Sequence, residues 1–286
     1  KGHKVTISGF SITGDYGIEL TDSEAMITSN EIYDCTYSGI GAFSSNSVLT
    51  IISNKIYGNY TGIAVESNST ATISSNEISD NNYAGIAVSS NSSVTVTTNK
   101  IYNNNKDYSG YGIIIYIASA IIKSNEIYNN SGSGICITAS SKATVTSNKI
   151  YNNSDGIFLW GIDGYDPPSG RIISNEIYNN HHNGVTMSNA TAEITSNQIH
   201  NNDYTGISID PSSSQSSTAT IKKNVIINHD IDIWNWSNQN IYAPGNTFDH
   251  VTKYEIDRWD IHDHRYWDTK QKKFIIRCET CGEVNF

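Results

Sequence analysis

Positive charge is scarce in this chain. Its 286 residues hold 18 Lys and Arg against 28 Asp and Glu, giving a formal net charge of -10 and a pI near 5.2. A nucleic-acid binder needs clustered cations to displace counterions from phosphates, so the composition argues against that partner. The few cations are dispersed along the sequence, and no Arg stands before Arg171. No run of 18 apolar residues occurs, which leaves no candidate for a membrane-spanning helix. No charged-then-apolar signal segment opens the chain, and Lys1 in place of an initiator Met points to removal of a leader or a preceding segment.

What is abundant is repetition. The tripeptide Asn-x-Ile returns nine times, at Asn30, Asn54, Asn76, Asn99, Asn125, Asn148, Asn175, Asn197 and Asn224. A period in the low twenties with several short β-favouring runs is the signature of a solenoid whose coils stack over a shared core. Within one period, Ala71 and Ile73 alternate with polar residues, as do Ile86 and Val88, so each coil should supply three short strands. The columns hold along the chain: Ile27, Ile51 and Ile73 three residues before the Asn, Ile32, Ile56 and Ile78 two after it, and Ile40, Ile63 and Ile86 after the Gly. Coils at a strand spacing of about 4.8 Å put like over like, and β-branched Ile suits such an interior. The Asn and the Gly are expected at corners requiring positive φ, and stacked Asn amides are expected to bond to each other from coil to coil. Val5 to Ile12 reads as an earlier coil with Phe10 in the Asn place, and Gly245 to Phe248 as a last one.

This pattern resembles the right-handed parallel β-helix repeats of pectate lyases, polysaccharide epimerases and periplasmic copper-binding accessory proteins. The resemblance covers about residues 5 to 249 and implies an all-β, right-handed parallel β-helix solenoid of about ten to eleven coils. We expect a β-helix domain over 1–249 and a C-terminal cap over 250–286, where the period stops and an aromatic segment begins at Tyr254. The family hosts lyases, hydrolases, epimerases, adhesins and fibres, so the resemblance speaks to fold more than to function.

The surface columns read first as stabilising. Glu31, Lys55, Glu77, Lys100, Glu126, Lys149 and Glu176 alternate in sign, which turns like-charge repulsion between coils into a column of ion pairs. Beside them run Tyr33, Tyr57, Tyr102, Tyr128, Tyr151 and Tyr178, a structural ladder or a platform for sugar rings. Asn pairs such as Asn103-Asn104 and Asn152-Asn153 form a third column of corner residues.

Function in repeat proteins concentrates where the period breaks. Insertions at Asn103 to Tyr111, Trp160 to Pro168 and Asp210 to Thr218 are such breaks, the last two on one flank two coils apart. Trp160, Asp163, Tyr165, Asp166 and Asp210 would there form an aromatic, acidic patch suited to a sugar or a calcium ion. No catalytic set is assigned: a glycoside hydrolase needs carboxylates about 5 to 9.5 Å apart, and the spacing of Asp163 and Asp166 does not select them. His181, His182, His200, His229 and His250 fall near one corner, where two or three aligned imidazoles would bind copper or zinc. Cys278 and Cys281 with His262 and His264 would make a zinc site; a local disulfide or free thiols are the alternatives. Cys35 and Cys136 stand four coils apart, roughly 19 Å at strand spacing, too far to bond.

The Ser, Thr, Asn and Tyr-rich composition, with glycosylation candidates at Asn59, Asn68, Asn91, Asn129, Asn152, Asn189 and Asn235, suits an extracellular or cell-surface protein. The leading expectation is a secreted, non-enzymatic surface β-helix in an assembly or fibre, contacting a polysaccharide or cell-surface glycan. A second copy or a preceding segment would stack on its N-terminal end. The alternatives are a polysaccharide lyase or epimerase-like enzyme, and a copper or zinc accessory protein.

Overall fold

The computed structural model describes residues 4–104, 110–210, 217–237 and 241–248, together with the backbone of His264–Asp268, Lys273–Arg277 and Val284–Asn285. Each coil contributes one strand to each of three parallel sheets, and no helix occurs among the described residues. The first sheet has twelve strands, the second eleven and the third ten. A typical coil runs from Thr70–Ser74 in the first sheet to Glu77–Ser79 in the second and Ala84–Ser89 in the third.

Pairing is in register, with Ile73 beside Ile51 and Val96, Ile78 beside Ile56 and Ile101, and Ile86 beside Ile63 and Ile113. The expected apolar columns are the core: these side chains are fully buried. Each buried Ile contributes about 1.5 to 3 kcal/mol, so a coil adds core as fast as it adds chain to be ordered.

The corners differ from expectation in one respect. The ladder Asn residues do not take positive φ; the residue before each does, as at Ser53 (55°), Ser75 (56°), Thr98 (55°) and Ser147 (56°). The Asn lies buried and, as expected, its amide bonds to the Asn of the coils on either side. The Asn148 side-chain oxygen accepts from the backbone and side-chain nitrogens of Asn125 at 2.9 and 3.0 Å. Its amide donates to the carbonyls of Ile122 and Thr146 and to Asn175 Oδ1. The chain of amides runs from Asn30 to Asn246, with Phe10 bonded through its backbone to Asn30 at the start.

A second buried ladder, Asn59, Asn81, Asn104, Asn130, Asn153, Asn180 and Asn202, lines the next corner and ends on His229. There the residue before the ladder does take positive φ, including Asn103, Asn129, Asn152, Asn179 and Asn201. The repeated Gly is required for closeness rather than for φ. A Cβ on Gly156 would fall 2.5 Å from the carbonyl oxygen of Gly184 and 2.5 Å from Ile177 Cγ2.

The alternating charges pair less than expected, because tyrosine competes for the acids. Tyr57, Tyr102 and Tyr151 donate to Glu31, Glu77 and Glu126 of the preceding coil at 2.9, 2.5 and 2.9 Å. Lys55 and Lys149 stand 3.6 and 3.8 Å from Glu31 and Glu176. The rings of Tyr102, Tyr128, Tyr151 and Tyr178 stack at 4.9 to 5.0 Å, and His200 closes the stack. Beyond the solenoid, His264–Asp268 and Lys273–Arg277 form an antiparallel pair, while Val284–Asn285 joins the first sheet beside Ile241–Tyr242.

Candidate functional site on the third sheet

The third sheet departs from the ladder rule on its outer face. Its inner column is uniform, running Ile113, Ile135, Ile157, Val185, Ile207 and Ile233. The outward column beside it reads Ile114, Cys136, Phe158, Thr186, Ser208 and Trp234, with no residue repeated. None of the ten strands contains a Lys or Arg.

At the start of these strands a polar network crosses three coils. Asp155 Oδ1 accepts from Thr186 Oγ1 at 2.8 Å and from the Asn183 backbone at 3.2 Å. Asn183 donates to Thr186 Oγ1 at 3.0 Å, and its Oδ1 accepts from the backbone and hydroxyl of Thr205. Further along, the Ser208 hydroxyl donates to Asp210 Oδ1 at 2.6 Å. Burial raises the Asp210 carboxyl above the usual carboxylate range, and the charge of Asp155 adds to the rise. Burial, followed by Asp155, pushes the Cys136 thiol up to about 12, which makes it an unreactive packing group.

Aromatic side chains frame this network. An open groove of 570 Å³ is lined by His182, Asn183, Tyr204, Thr205, Asp230 and Trp234 among others. His182 meets Tyr204 edge to face at 5.4 Å, and Trp234 lies 5.5 Å from Trp236. The same edge of the sheet carries Tyr16 stacked on Tyr37 at 4.9 Å and Tyr60 on Tyr83 at 5.7 Å. Tyr37, Tyr60 and Tyr204 are 50%, 51% and 58% exposed, so they offer ring faces to solvent. Rings over a floor of fixed hydroxyl and carboxyl groups can hold sugar, stacking against its CH face and bonding its hydroxyls.

The expected insertion patch is divided. Trp160, Asp163, Tyr165 and Asp166 are all exposed. Their loop turns back over the preceding coils: Tyr116, two coils earlier in register, donates to the Tyr165 hydroxyl at 3.2 Å, and the Asp166 backbone donates to Ser140 Oγ at 3.2 Å. Asp210 is two coils to the other side of Trp160 and belongs to the third-sheet face. The opposed insertion, and the one after Asn104, fall largely outside the described residues.

The histidines do not share one column. His200 stacks on Tyr178, His181 lies 3.6 Å from Asp203, His182 lines the groove and His229 is buried in the second ladder. No three His, Cys, Asp or Glu side chains are grouped to hold a metal among the described residues. His262, Cys278 and Cys281 lie outside the described residues, as does His250, and of His264 only the backbone is described. Of the glycosylation candidates, Asn59, Asn189 and Asn235 are buried, with Asn59 engaged in the ladder, so the folded chain has no room for a glycan there. Asn68, Asn91 and Asn129 are exposed and Asn152 is half-buried.

Residues 1–109 and 105–248 match the family described as right handed beta helix region. The chain belongs to that family. Solved structures share the fold of this β-helix, among them two epimerases and a pectate lyase. A periplasmic alginate epimerase superposes with a TM-score of 0.57 at 14% identity, covering 86% of this chain and 77% of that one. The A-module of an Azotobacter vinelandii mannuronan C-5 epimerase gives 0.56 at 12%, covering 87% and 90%. A pectate lyase gives 0.52 at 15%, covering 78% and 69%. By sequence alone the β-helix matches no curated protein.

Apart from Trp160 and Asp210, the residues of the third-sheet face carry no motif, yet the sequence holds a signal for them. An aromatic ring stands two residues before the Gly at Tyr37, Tyr60, Tyr83, His182 and Tyr204, and the second residue after that Gly is where repetition fails.

Proposed function

We propose that this β-helix is an extracellular, non-enzymatic protein that holds a neutral, hydroxyl-rich polysaccharide along the outer face of its third sheet. The observation that carries the reading is the groove at His182, Tyr204 and Trp234, lined also by Asn183 and Thr205, which are bonded to each other, beside strands without a Lys or Arg. A neutral polymer meets rings and hydroxyls there. An anionic one meets Asp230 in the groove, with no cation on the strands of this sheet to balance it. Titration calorimetry against soluble glucans, mannans and xylans tests this. One of them should bind, and Trp234→Ala with Tyr204→Ala should weaken it at least about tenfold, the cost of losing one or two stacked rings. Failure of every neutral polymer to bind would defeat the reading.

A carbohydrate-active enzyme is the second reading, favoured by Asp210. A carboxyl that burial holds above its usual range, against the opposing hydrogen bond from Ser208, is suited to donating a proton. The solved structures sharing the fold include alginate epimerases and a pectate lyase. Turnover of alginate or polygalacturonate, followed by NMR and ultraviolet absorbance and lost in Asp210→Asn, would establish it.

A further inference from the structure

The tyrosines of the second sheet hold both their rings and their phenolic protons in fixed places. The register pairs Tyr102 with Tyr128, Tyr128 with Tyr151 and Tyr151 with Tyr178, and neighbouring rings lie 2 to 12° from parallel. Their centroids stand 4.9 to 5.0 Å apart, which matches the strand spacing of about 4.8 Å, so the rings stack without tilting away from one another. His200 closes one end of the stack at 5.1 Å. At the other end Ser79 interrupts the column, and Tyr33 with Tyr57 forms a separate pair at 5.4 Å.

Among the described residues, only Tyr57, Tyr102 and Tyr151 donate their hydroxyls to carboxylates, those of Glu31, Glu77 and Glu126. The bond to Glu77, followed by burial, pushes Tyr102 up to about 12, and burial with the bond to Glu126 raises Tyr151 as well. At neutral pH these phenols keep their protons. An electron leaving such a ring is therefore accompanied by passage of the proton to the waiting carboxylate. Tyr151 sits at the centre of the arrangement, with Glu126 as its acceptor and a ring 4.9 Å away on either side. The Tyr16 and Tyr37 pair and the Tyr60 and Tyr83 pair also stack, but without a carboxylate acceptor among the described residues.

We propose that the stack from Tyr102 to Tyr178 is an oxidative modification site, at which neighbouring coils become joined by dityrosine bonds. The co-reactant is a one-electron oxidant, such as the ferryl haem of a peroxidase. It takes an electron from the Tyr151 ring while the phenolic proton passes to Glu126 Oε1, leaving a neutral phenoxyl radical beside a neutral carboxyl group. A second oxidation, at Tyr128 or Tyr178, gives its electron to the oxidant and its proton to solvent. The two radicals then pair. A carbon–carbon bond forms between positions ortho to the two oxygens, and the ring hydrogens there move to the oxygens and restore both phenols. Glu126 returns its proton to solvent, so each join releases two electrons and two protons overall. Rings held one strand spacing apart meet far more often than rings of separate molecules, which favours a bond within the chain.

Irradiation of the full chain with ruthenium trisbipyridyl and persulfate, followed by trypsin digestion and mass spectrometry, tests the site. Cleavage after Lys142, Lys149 and Arg171 puts Tyr128, Tyr151 and Tyr178 on separate peptides. Peptides joined from Tyr128 to Tyr151 or from Tyr151 to Tyr178, lighter than their sum by two hydrogens, should appear in protein that still migrates as a single chain. The joined chain should unfold at higher urea, since the bond closes a loop in the unfolded state as a disulfide does. Tyr151→Phe should remove both joins. Glu126→Gln, which keeps an oxygen acceptor but not a base, should slow their formation about tenfold. Ser79→Tyr should extend joining to Tyr57 and Tyr102, which the parent leaves apart. Equal circular dichroism of the variants and the parent establishes that the solenoid is intact. Joins confined to the more exposed Tyr37, Tyr60 or Tyr204 would overturn the proposal. So would joins found only between molecules, an unchanged rate in Glu126→Gln, or no dityrosine at all.

Discussion

The corner after the first sheet and the outer face of the third are built on the same period, yet they use it in opposite ways. At the corner every coil from Asn30 to Asn246 supplies an Asn bonded to the Asn of adjoining coils, so a change in one coil strands groups in others. On the face each coil from Ile114 onward supplies something different, and Phe158, Thr186, Ser208 and Trp234 succeed one another without a shared partner. Uniform columns hold the solenoid together because each residue is its neighbour's binding partner. Once they do, the solvent side of one sheet is free to vary.

That contrast can be broken or sharpened by substitution. Asn148→Ala should have the largest effect. It deprives the Asn125 amide, the Ile122 carbonyl and Asn175 of buried partners, and about 4 kcal/mol of stability should be lost in urea unfolding. Asn179→Ala, at the exposed corner with φ 53°, should cost only about 1 kcal/mol. Gly156→Ala should lose about 3 kcal/mol, because its Cβ would meet backbone oxygen and the buried Ile177. A soluble, fully stable Gly156→Ala protein would show that the coils can move apart and that closeness is not what the Gly provides.

Glu126→Lys removes the acceptor of Tyr151 and sets three Lys residues in succession, with Lys100 and Lys149, on adjoining coils. About 1 kcal/mol should be lost, and less at high salt. Trp160→Ala, on the varied face and 45% exposed, should change stability by less than about 0.5 kcal/mol. A loss comparable to that of Asn148→Ala would erase the distinction between the two regions.

The smallest effect expected is one of pH. Burial raises the Asp210 carboxyl in the folded state above its unfolded value, so its contribution is complete below the ordinary carboxylate range and is lost as pH rises through the folded value. Asp210→Asn should therefore unfold at slightly higher urea than the parent at neutral pH, and the difference should close on acidification. An unchanged difference across that range would place Asp210 in solvent rather than in the face.

Much of the fold was legible because stacking is a local rule repeated. The Ile columns, the three strands per coil, the Phe10 coil and the last rung at Asn246 all follow from spacing alone. The site was less legible. Trp160, Asp163, Tyr165 and Asp166 stand where the sequence period breaks, but the direction of their loop depends on Tyr116 and Ser140, 49 and 26 residues away from their partners. Thr186 and Thr205 carry no motif, and their importance appears only when Asp155 and Asn183 are brought beside them.

The sequence by itself therefore determined the period, the core and the charge and aromatic columns, since each is a relation between a residue and its copy one coil later. Only the tertiary structure decided which corner residue adopts positive φ and that the Gly column exists to let backbones approach. It also decided that tyrosine hydroxyls compete with lysines for the Glu column, and that Asn59 is a ladder rung rather than a glycan acceptor. Those outcomes turn on distances of a few tenths of an ångström between side chains of neighbouring coils, and identity at a fixed spacing does not encode them.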